Sequence, residues 1–105
     1  MENRLRRCNL RFIGLPERVE GREPAEFLEN LLIKEYGREA FSVMFAVERA
    51  HRIPAKPPPE GAPPRTFIAK FLNFRDRDKI MRLSREKGNM RMGNGHVAVF
   101  PDFSI

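Results

Sequence analysis

The hydrophobic pattern of this chain switches twice from a period of two to a period near 3.6, and that double switch restricts the fold more than any other feature. In TFIAKF, residues 66–71, Phe67, Ala69 and Phe71 alternate with Thr66, Ile68 and Lys70, as in a strand with one buried face. NFRDRDKIMRLSREKG follows at once. There Ile80, Met81 and Leu83 recur at helical spacing, Asn73 is a candidate N-cap with Asp76 three residues on, and Gly88 is the stop. The same succession occurs earlier. CNLRFIGL, residues 8–15, sets Leu10 and Phe12 against Arg11 and Ile13 and breaks at Gly14 and Pro16. Phe27, Leu28, Leu31 and Leu32 then define an amphipathic helix between Glu23 and Tyr36, with Pro24 at its first position and Gly37 just past its end.

Two further extended runs complete the pattern. FAVERAHRI, residues 45–53, reads as a strand whose parity slips between Val47 and Ala50, which predicts a bulge. NMRMGNGHVAVF, residues 89–100, sets a Gly-Asn-Gly turn between two short extended runs, the second with Val97 and Val99 on one side. The order β-α-β-β-α-β predicts the α+β class and the ferredoxin-like split βαβ arrangement. That is a four-stranded antiparallel sheet with both helices on one face, as in RNA-recognition motifs. With 105 residues, 41% of them hydrophobic, the chain can bury one modest core and not two.

Such a sheet leaves its second face open. If Leu10, Phe12, Phe67, Ala69 and Phe71 face the helices, then Arg11, Ile13, Thr66, Ile68 and Lys70 face outward, joined by His96, Ala98 and Phe100. RNA-recognition motifs carry aromatic rings at the outward positions of the two central strands, where they stack on unpaired bases. Here those positions hold Arg11, Thr66 and Ile68, so charge replaces aromatic stacking and little sequence preference is expected. The net charge of +6 is also unevenly spread. Glu48 to Arg91 holds twelve Lys and Arg against five Asp and Glu, whereas Pro16 to Met44 holds four against seven. One face is therefore cationic and suited to a polyanion, the plainer alternative being a solubilising surface. Residues 54–65 form a proline-rich arm with Arg52 and Arg65 at its ends. Prolines lower the conformational freedom such a loop loses on closing over a bound strand. An extended spacer and a polyproline ligand for an aromatic-grooved partner are the competing readings.

The segments ENRLRRCNLRFIGLPE, ERAHRIP, IAKFLNFRDRDKIMRLSREKGNMRM and VFPDFS together resemble the RNA-recognition-motif domain of the first-open-reading-frame protein of LINE-one type retrotransposons, with REKG, residues 85–88, the most specific element. The resemblance implies a non-catalytic domain that binds single-stranded RNA, with single-stranded DNA as a further partner, in a protein that packages its element's RNA and acts as a nucleic-acid chaperone. It implies contacts at Arg11, Arg52, Arg65, Lys70, Arg85 and Lys87, the last of which could equally serve only to cap its helix. It implies that residues 1–8 are the end of a trimerising coiled coil, 9–101 the RRM-like domain and 102–105 the start of a further domain. The isolated domain is then monomeric and the parent a homotrimer, in a cytoplasmic ribonucleoprotein with the nucleus as a second compartment.

Other functions find little support. Cys8 has no partner for a disulfide, and with His51 and His96 it falls short of a four-ligand zinc site, so neither metal nor cofactor is expected. The charged N-terminus MENRLRRCNL is unlike an apolar signal segment and no long apolar run occurs, which gives no support for membrane insertion or secretion. Acylphosphatases share the fold and use a phosphate cradle after the first strand. In GLPERVEGR at that place Pro16 lacks a backbone donor, and Glu17 and Glu20 would repel the substrate.

Overall fold

The computed structural model describes residues 8–92 and 95–102. Among them β1 (Asn9–Ile13) leads to α1 (Pro24–Tyr36), a short 3-10 turn (Arg38–Ala40) and β2 (Val47–Ile53). Then come β3 (Thr66–Phe71), α2 (Phe74–Lys87), β4 (Met90–Met92) and β5 (Gly95–Pro101). The sheet is antiparallel with strand order β2-β3-β1-β5-β4, so β1 and β3 are central. The split βαβ arrangement is as expected, with one difference. Both extended runs near the C-terminus are strands, and β4 adds a fifth, edge strand through Met90–Val97 and Arg91–His96 pairing. Of the Gly-Asn-Gly turn expected between them, Gly93 and Asn94 lie outside the described residues, as do Met1–Arg7 and Phe103–Ile105.

Helix boundaries follow the local chemistry. Pro24 opens α1, and Gly37 ends it at φ +93° with its N–H donating to the Ile33 carbonyl at 2.8 Å. The Asn73 side chain accepts from the Arg75 N–H at 2.8 Å and caps α2, which Gly88 closes at φ +80°. Asp76, three residues beyond the cap, instead bonds another segment. Its carboxylate accepts from the Ser42 N–H at 2.9 Å and the Ser42 hydroxyl at 2.7 Å, tying the segment before β2 to the start of α2.

The helix stripes and the inner sheet face make one core. Leu10, Phe12, Phe67, Ala69 and Phe71 are fully buried with Leu28, Leu32 and Ile80. Phe12 meets Phe67 edge-on at 6.5 Å between centroids, and Phe45 stacks on Phe41 at 4.2 Å. Each fully buried large side chain contributes on the order of 1.5–3 kcal/mol. Gly14 ends β1 at φ +109°, and a Cβ there would run into the His96 carbonyl oxygen of β5. Only glycine lets the chain leave β1 so close to its neighbour.

The expected bulge in β2 falls between Val47 and Arg49. It decides which side chains face which way. Beyond it Arg49, His51 and Ile53 lie on the open face, while Ala50 and Arg52 turn toward the core.

Candidate nucleic-acid interface

Strand register builds the open face in rows. His51, Ile68, Arg11 and Phe100 stand abreast on β2, β3, β1 and β5, and in the neighbouring row Arg49 and Lys70 stand beside Asn9. Phe100 is 48% exposed and Ile13 43%, and with Arg11 and Pro101 they line a shallow groove. Arg91, at the edge, pairs with His96. The cations are partly compensated. Arg11 Nε donates to Asp102 Oδ1 at 2.8 Å, and Asn9 Nδ2 donates to the same buried carboxylate at 3.4 Å. Lys70 Nζ lies 3.4 Å from Glu48 Oε1. Both pairs leave donors of Arg11 and Lys70 toward solvent, because their side chains remain 45% and 27% exposed.

The base of the proline arm is a second charged cluster, in which each arginine is matched by a carboxylate. Arg52 is expected at the surface but is only 7% exposed. Parity after the bulge directs it inward, where its guanidinium lies 5.3 Å from the Phe67 ring centre. Its Nη1 donates to the carbonyls of Leu15 and Arg65, both at 2.8 Å, and Nη2 to the Pro16 carbonyl at 2.7 Å. Nη2 and Nε also grip the two oxygens of Glu20, at 2.8 and 3.2 Å. Arg52 is thus a buried clamp between the loop after β1 and the root of the arm.

Arg65 closes the other end. Nη2 and Nε donate to the two oxygens of Glu17 at 2.9 and 3.1 Å, and the Arg65 backbone N–H adds a 2.8 Å bond to the same carboxylate. Nη1 donates to the carbonyls of Pro54 and Ala55. Hydrogen bonds from the Arg65 side chain and then its backbone bring the Glu17 carboxyl down to about 2, and Glu17 in turn pushes Arg65 up. At Glu20 burial works in the raising direction, but the bond from Arg52 prevails and the carboxyl lies below its ordinary value.

Arg85 and Lys87 stand apart from both clusters, exposed in the last turn of α2 on the helical layer. Lys87 Nζ lies 5.9 Å from the Tyr36 ring centre. The six residues named from the sequence therefore form three groups: Arg11 with Lys70 on the open sheet, Arg52 with Arg65 at the arm, and Arg85 with Lys87 at the end of α2. Arg49, Arg91, Glu17, Glu20 and Asp102 are not among the site residues to which the sequence points. The bulge after Val47 could have pointed to Arg49, but Arg65 and Glu17 are 48 residues apart and nothing local couples them.

Fold and site together define an RRM-like domain with an open, cation-bearing sheet. The chain belongs to the L1 transposable element RBD-like domain family, which matches residues 7–100. It is 28% identical over 101 residues to the human LINE-1 type transposase domain-containing protein 1, covering 95% of this chain and 12% of that protein. The mouse protein of the same name is 26% identical over 103 residues, covering 98% and 13%. The mouse LINE-1 retrotransposable element ORF1 protein is 24% identical over 106 residues, covering 99% and 30%. The chain thus spans less than a third of the length of each of these relatives.

Proposed function

We propose that this domain binds single-stranded RNA with little sequence preference, as the RNA-recognition unit of a longer retrotransposon-derived RNA-packaging and chaperone protein, and that it catalyses no reaction. The observation that carries this reading is the row Ile68, Arg11 and Phe100 across the open sheet, beside the cationic row of Arg49 and Lys70. A base can lie on the Phe100 ring while phosphates meet the guanidinium and ammonium groups, a combination that tolerates any base. Arg91 extends the cationic surface to the sheet edge, Arg85 and Lys87 offer a separate cationic patch at the end of α2 on the helical layer, and Arg52 serves as the pivot of the arm. Single-stranded DNA, which offers the same phosphates and base faces without the 2′-hydroxyl, is the alternative strand. The isolated domain is monomeric. A coiled-coil trimer in the parent protein multiplies its affinity through effective concentration, in a ribonucleoprotein of the cytoplasm and nucleus.

Fluorescence anisotropy of a labelled oligouridylate in rising salt tests the reading. Four or five phosphate contacts on a single strand, at roughly 0.7 each, give a slope of log affinity against log salt near −3. Binding that is flat with salt, or confined to one short sequence, contradicts it.

A further inference from the structure

Arg65, at the end of the arm, grips a carboxylate from the loop after β1 where a nucleic-acid binder would hold a phosphate. We infer that Glu17 is an internal stand-in for phosphate at Arg65, and that this pair latches the arm until a polyanion displaces the carboxylate. The inference rests on the RNA-binding reading above and adds an autoinhibitory contact to it.

The geometry is that of a phosphate site. Two parallel bonds from Nη2 and Nε reach two oxygens of one anion, and a backbone N–H adds a third donor from the same residue. A phosphodiester presents two unesterified oxygens to the same fork. The donors stay in position if Glu17 leaves, because Nη1 remains bonded to the carbonyls of Pro54 and Ala55. Arg52 and Glu20, with side chains 4% and 13% exposed, hold the root of the arm from behind. The outer pair is wetter, at 16% for Arg65 and 24% for Glu17, so an anion can exchange there without unfolding the core. Room adjoins it. A cleft of about 410 Å³ separates Glu17 and Arg18 from Pro57–Ala62 of the arm and opens onto Arg65.

The latch is set against anions rather than against protons. With its carboxyl held down to about 2, Glu17 stays charged at every physiological pH, so only a competing anion or high salt loosens it. Arg52 beside it favours an anion at this spot, while Glu20 and Glu60 oppose a second one. A phosphate gains the fork only by expelling Glu17, which lowers the affinity of the resting domain and limits binding to strands that supply several phosphates at once.

Oligouridylate binding by the whole chain tests this. Glu17→Gln keeps the shape of the side chain and frees the Arg65 charge for one more phosphate. The slope against log salt should steepen by about 0.7, and affinity should rise about fourfold at about 0.15 M salt. Glu35→Gln, an equal charge change on exposed α1, should leave the slope unchanged. Adding Arg65→Gln to Glu17→Gln should abolish the gain. If Glu17→Gln melts too early to measure, Glu17→Asp, which keeps the charge but shortens the reach, should give a smaller gain of the same sign. Parent and Glu17→Gln binding equally, or Glu35→Gln matching Glu17→Gln, overturns the latch while leaving RNA binding in place. Failure of every variant to bind overturns both.

Discussion

Arg52 offers the sharpest test of how the arm is attached. Its side chain is 4% exposed and makes five hydrogen bonds, three to main-chain carbonyls and two to Glu20, whose side chain is 13% exposed. Replacement by alanine leaves the Glu20 carboxylate without its cation in a site water barely reaches. Breaking a buried pair from one side costs about 3–5 kcal/mol. Arg52→Lys keeps the charge, but one nitrogen cannot span Leu15, Pro16, Arg65 and both Glu20 oxygens. Losing two charge-assisted bonds, at about 1.5–3 kcal/mol each and partly regained by the ammonium, leaves a loss of about 2–4 kcal/mol. For a domain of this size that lowers the melting temperature by about 10 °C or more. Urea unfolding followed by circular dichroism measures the change in midpoint at constant slope. Adding Glu20→Gln to Arg52→Met should recover part of the loss, because the stranded charge is then gone. Arg52→Lys within about 0.5 kcal/mol of the parent, as for an ordinary surface change, would refute the clamp.

Two other outcomes follow from the same contacts. Glu17 has its folded value lowered to about 2 against 4.5 for a free carboxyl, so the stability it contributes is full above about 4.5 and lost as pH falls toward 2; Glu17→Gln should flatten that part of a stability-against-pH curve, and an unchanged acid limb counts against the pair. Arg85→Lys keeps charge and removes the fork, so a positioned phosphate contact should lose about 1–2 kcal/mol of RNA affinity, whereas Arg22→Lys, equally exposed, should lose none. Arg38 would be an unsuitable control, since it donates to the carbonyls of Phe41, Ser42 and Val43 and a lysine there would disturb the turn.

The legible part of this fold is the part written in local periodicity. Alternation at residues 66–71 assigns Phe67, Ala69 and Phe71 to the core and Thr66, Ile68 and Lys70 to the open face, as found, because a strand has only two sides. Proline, asparagine and glycine marked the helix ends because each acts through its own backbone. The slip after Val47 was visible, but its consequence for Arg52 needs the parity carried through the bulge to the sixth residue of the strand. Three residues, Met90–Met92, carry too little alternation to mark a strand by themselves, and β4 exists because β5 offers an edge to pair with. The ion pairs were illegible. Glu17 and Glu20 sit in a mixed-charge stretch, interleaved with Arg18 and Arg22 like any solvated loop, and only tertiary folding brings them to Arg65 and Arg52.

In the proposed function the open sheet face receives the nucleic acid. Nitrogen–proton correlation spectra of the labelled domain, recorded while oligouridylate is added at low salt, test it residue by residue. The largest shifts are expected at Arg11, Ile68, Lys70 and Phe100, with smaller ones around Arg65 and Arg85 and none at Glu26 or Lys34 on α1. Shifts confined to the helical layer, with the Arg11, Ile68 and Phe100 row unmoved, would contradict it.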